Sequence, residues 1–127
     1  MDATELVVRA AGLHSLGFAA FHLAFWKLFD WKRDLARTSV ANRAIMQILN
    51  LRLIYLFLGM GAACFAFTDA LLHTPLGRAV LGFMSLFWVG RTIEQMVFLR
   101  VRHWGVHALT ALFILGAALS AWPLLAS

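Results

Sequence analysis

Four stretches of this chain, roughly residues 5–29, 40–67, 75–100 and 104–125, are long and apolar enough to cross a bilayer as helices. A hydrocarbon core about 30 Å thick takes roughly 20 residues of helix. The expected fold is therefore an all-α integral membrane protein, a four-helix transmembrane bundle forming one domain over 1–127. A hydrophobic content of 62% and a mean hydropathy of +0.80 agree, being too apolar for a soluble domain of this size.

The formal charge of +5 does not point to nucleic acid, because the basic residues fall beside the apolar spans rather than along one solvated face. They read as topology signals. Lys27, Lys32, Arg33, Arg37, Arg43, Arg100 and Arg102 lie in the first and third connections, against Arg9 and Arg78 on the other side. Both termini are thus expected outside the cytoplasm, in a bacterial-type inner membrane. Asp2 and Glu5 precede the first span, unlike the basic start of a signal peptide, so this segment is expected to stay in the mature protein. Cys64 is the one cysteine and has no disulfide partner within the chain.

Local signals set the ends of the helices. Thr38 or Ser39 is expected to cap the second, Thr74-Pro75 to start the third, and Pro123 to end the fourth. Small residues on the first, among them Gly12 and Gly17, suit close helix contact, and Trp31, Trp104 and Trp122 suit the membrane interface.

The third stretch carries Arg91, Glu94 and Gln95 where lipid-compatible residues would be expected. Charges at that depth are costly unless paired, so they mark a candidate site. Measured from the basic ends at about 1.5 Å per residue, His22 and Asn50 lie roughly 10 Å deep, Glu94 roughly 9 Å and His107 roughly 5 Å. Helical spacing puts His14 and His22 in one row, Arg43, Gln47 and Asn50 in another, Arg91, Glu94 and Gln95 in a third, and His103, His107 and Thr110 in a fourth. A bundle can turn all four rows inward, so they are expected to converge as a polar layer in its cytoplasmic half. Arg52 points elsewhere, toward an edge of the third helix or a second subunit, and a homo-oligomer is expected.

Three functions fit this pattern. In the first, His22 and His107 are axial ligands of haem b, with Arg52 and Arg91 on its propionates, or His14, His22, Glu94, His103 and His107 supply ligands to a transition metal. In the second, Glu94 is the protonatable group of a small anion carrier or lipid-binding protein, and Arg52 and Arg91 hold the anion. In the third, the chain is a structural subunit of a larger membrane complex, with Gln47, Asn50 and Gln95 as interhelical hydrogen bonds. No nucleophile with a base, phosphate loop or Cys-x-x-Cys is present, so hydrolase and nucleotide chemistry have no support and enzyme activity is left open.

Overall fold

A computed structural model describes residues 2–126. The chain is all-α. Its helices are α1 (Ala3–Leu23), α2 (Phe25–Leu28), α3 (Trp31–Asp34), α4 (Val40–Ala66), α5 (Thr68–His73), α6 (Pro75–Phe98) and α7 (Trp104–Ala126), with a 3₁₀ turn at Leu35–Arg37. Three of them, α1, α4 and α7, are long and apolar enough to cross a membrane. Helix α6 is comparably long but holds Arg78, Arg91 and Glu94, and it falls short of the others in apolarity.

Each long helix begins where a side chain can bond its free N–H groups. Asp2 accepts from the Glu5 N–H at 2.9 Å and from the Thr4 hydroxyl at 2.6 Å. These bonds, the Thr4 hydroxyl first, hold the Asp2 carboxyl below the usual carboxylate range. Ser39 caps α4 by accepting from Asn42 N–H at 3.2 Å, while the Thr38 hydroxyl donates to the Leu35 carbonyl at 2.7 Å. Thr74 caps α6 by accepting from Gly77 N–H at 2.9 Å, with Pro75 at the first helical position.

Two ends differ from expectation. The first stretch breaks at Ala24, and the chain then turns sharply at Asp30, which adopts the left-handed conformation (φ 50°, ψ 50°). Pro123 lies within α7 rather than ending it. So close to the C-terminal end, a missing N–H removes a single bond from the helical ladder, and the last turn continues to Ala126.

Helix α1 packs against α4 and α7, and α6 packs against α7. All four long helices meet at one group of rings. Trp88 of α6, 1% exposed, stacks on Phe57 of α4 (5.5 Å between centroids, 6° between planes) and on Phe113 of α7 (5.8 Å, 20°). Phe18 of α1 closes the group at 4.9 Å from Trp88. Such rings combine large contact area with favourable stacking, about 0.5–1.5 kcal/mol per pair beyond burial.

Helices α1 and α4 approach closely because glycines face each other there. A Cβ on Gly12 would lie 2.7 Å from the Cβ of Cys64, and one on Gly61 would lie 2.6 Å from the Leu16 side chain. On the far side of α1, Gly17 has nothing within 4 Å. Gly12→Ala is therefore expected to cost about 1–3 kcal/mol by overpacking, and Trp88→Ala about 3–5 kcal/mol by opening a cavity. Gly17→Ala should be neutral or slightly stabilising. Thermal denaturation in detergent checks the order; equal behaviour of Gly12→Ala and Gly17→Ala would refute the close approach.

Candidate functional site

The polar residues of the long helices divide into a buried set and an outward set. His22 and Asn50 belong to the first. The His22 Nδ1–H donates to the Phe18 carbonyl at 2.8 Å, and its ring stacks on Phe25 at 4.3 Å and meets the Phe57 ring at 5.0 Å. Asn50, 3% exposed, donates from Nδ2 to the His22 carbonyl at 2.9 Å. That carbonyl sits in the last turn of α1, where the regular helical ladder ends, so one amide joins α4 to α1 at a helix end.

Gln95, also 3% exposed, joins α6 to α7. Its Nε2 donates to the Val106 carbonyl at 3.4 Å, and its Oε1 accepts from the Arg91 guanidinium at 3.5 Å. Arg91 lies over the Phe113 ring, 4.7 Å from its centroid, a cation–π contact.

His14 reaches across to α7. Its Nε2–H donates to the Leu112 carbonyl at 2.8 Å and its ring stands edge-on to Trp88 at 4.8 Å, in space that exists because residue 116 is glycine. Its Nδ1 is buried and without a partner. Gln47 accepts from the Trp26 indole N–H at 3.0 Å and donates to the Arg43 carbonyl at 3.2 Å, which ties α2 to α4.

Within the outward set, Glu94, His103 and His107 depart from expectation. Glu94 is exposed, beside the exposed Ile93 and Val97, and has no hydrogen bond or ion pair among the described residues. Arg91 and Glu94 therefore form no ion pair: the guanidinium turns inward onto Phe113 and the carboxylate turns away. Arg52 is exposed and lies over the equally exposed Tyr55 ring at 5.4 Å. His103 and His107 do not share a helix face, because α7 starts after His103. His103 Nδ1 instead accepts from Gly105 N–H at 3.0 Å, and its ring stacks on Trp104.

Metal ligation needs several donors converging on one point. Among the described residues no group of three or more His, Cys, Asp or Glu is placed to hold a metal ion. The convergence expected of His22, Glu94, His103 and His107 is not identified, since burial keeps the first inside and leaves the other three exposed. Sequence reasoning gave Arg100 and Arg102 a topological role alone. With His107, Gln95 and Thr110 they line a cavity of about 400 Å³ between the ends of α6 and α7. The available signal was the run of charge at 100–103, which interrupts the helical pattern there.

Asn50→Ala should cost about 1 kcal/mol, since it removes an interhelical hydrogen bond from an apolar setting. Glu94→Gln should leave stability unchanged. Denaturation midpoints of the two variants check this, and a large loss for Glu94→Gln would show that the carboxylate is paired after all. Compared with known proteins, the chain matches no family model, no curated protein and no solved structure.

Proposed function

We propose that this chain is a four-span protein of the cell (inner) membrane that binds an anion through arginines its own acids leave unpaired. Helix α6 is the fourth span in this reading, with the Arg91 charge offset by Gln95 and the Phe113 ring. The termini lie outside and the first and third connections inside, as the distribution of Lys and Arg requires.

One observation carries the proposal. Arg52, Arg91, Arg100 and Arg102 have no carboxylate within ion-pair distance among the described residues, while Arg33 in the first connection is paired with Asp30 at 3.2 Å. Guanidinium groups at a membrane surface or within a span favour a carboxylate or phosphate. Glu94, exposed and unpaired, is available as the protonatable group of a carrier. Arg52 and Tyr55, on the outer face of α4, would meet a second copy of the chain or a lipid headgroup.

A second reading, haem b or metal binding, is favoured by the tautomer of His22. With Nδ1–H given to a carbonyl, the free lone pair is on Nε2, the arrangement found in metal-ligating histidines. His107, exposed on the same chain, would then serve a site completed by a second copy.

Added to detergent-solubilised protein, an anionic phospholipid should raise Tm more than a zwitterionic one, and high salt should shrink the difference. Equal shifts would refute anion binding. A visible spectrum with a Soret band, or bound metal lost on His22→Ala, would establish the second reading instead.

A further inference from the structure

Residues 99–103, between α6 and α7, are not helical, and Arg100 and Arg102 stand there exposed. The polar groups around their cavity are unequally engaged. The Gln95 amide and the Thr110 hydroxyl are both donated to the Val106 carbonyl, at 3.4 and 2.9 Å. The two guanidinium groups and the His107 ring have no hydrogen-bond or ion-pair partner among the described residues. In the first connection, by contrast, Arg43 donates to the Leu35 and Thr38 carbonyls and Arg33 meets Asp30. The rim of this cavity thus offers free donors.

Its lining continues into apolar space. Leu99 and Val106 are shared with an apolar cavity of about 460 Å³ between α1 and α7, which shares Phe21, Leu109 and Leu112 with a third of about 250 Å³ beside Gly17. From Val106 to Leu112 this track runs about 9 Å along α7. Nothing lies within 4 Å of a Cβ at Gly17, so the track is open there.

A free inorganic anion would satisfy the rim and leave the track without purpose. A molecule with a phosphate at one end and an acyl chain at the other uses both. We infer that the α6–α7 connection and the α1–α7 groove together hold one anionic phospholipid. Its phosphate lies among Arg100, Arg102 and His107, and one acyl chain passes Leu109 toward Gly17. The assignment rests on the reading that the chain binds an anion, and gives that anion its class and place.

Native mass spectrometry of the full chain in mild detergent, titrated with phosphatidylglycerol or phosphatidylcholine, tests it. The wild type should prefer phosphatidylglycerol. Arg100→Gln/Arg102→Gln should weaken phosphatidylglycerol binding about 25-fold, from roughly fivefold per arginine. Arg100→Lys/Arg102→Lys should keep most of the preference, which separates lost charge from lost fold. Arg9→Gln, at the other end of α1, should change nothing. Gly17→Leu should weaken the lipid by filling the track.

A wild type without preference would overturn this site and the anion-binding reading together. A preference surviving in the double Gln variant would overturn the site alone. If millimolar inorganic phosphate displaced the lipid and Gly17→Leu had no effect, the ligand would be a free anion and the lipid assignment would fall.

Discussion

Stacking of Phe57, Trp88 and Phe113, with Phe18 against them, is the interaction on which the arrangement of the long helices depends. In lipid the surroundings are as apolar as the side chains, so water expulsion does little to drive helix association. Close packing and interhelical hydrogen bonds have to supply it. One ring from each long helix meets at Trp88, and the glycines at 12 and 61 bring α4 close enough to α1 for that to happen. Asn50 and Gln95 then fasten α4 to α1 and α6 to α7 from buried positions.

The polar groups sort by what the packing permits. Neutral amides and histidines that find a carbonyl across an interface remain inside. Glu94, Arg52 and His107 face outward, and Arg91 stays half-buried over an aromatic face. A guanidinium tolerates that position because it is weakly hydrated and can stack, whereas a buried carboxylate is costly unless several donors surround it. The remaining positive charge collects at one end, beside the cavities between α6, α7 and α1.

The helices were legible in the sequence because span length and capping are local properties. Thr74-Pro75 started α6 as expected, and the end of α4 fell within a residue of its expected place. Facing was less legible. Arg91 and Glu94 are one turn apart, close enough to suggest a pair, yet only the packing of Phe113 decides which turns inward. His103 and His107 had chelating spacing, but that spacing carries meaning only if both residues are helical, and the helix begins between them. The cavity at Arg100 and Arg102 needed two helices and a turn to be seen. A topological signal and a binding site look alike when read along the chain.

The proposed four-span topology rests on α6 crossing the membrane despite its charges. The most direct test is labelling with a membrane-impermeant maleimide, on intact and permeabilised cells, of single cysteines at positions 76 and 98, in a Cys64→Ala background. Both positions are well exposed, at 76% and 83%. Leu76→Cys should label on intact cells and Phe98→Cys only after permeabilisation. Labelling of both from the same side would contradict the four-span arrangement and the cytoplasmic placement of the basic end.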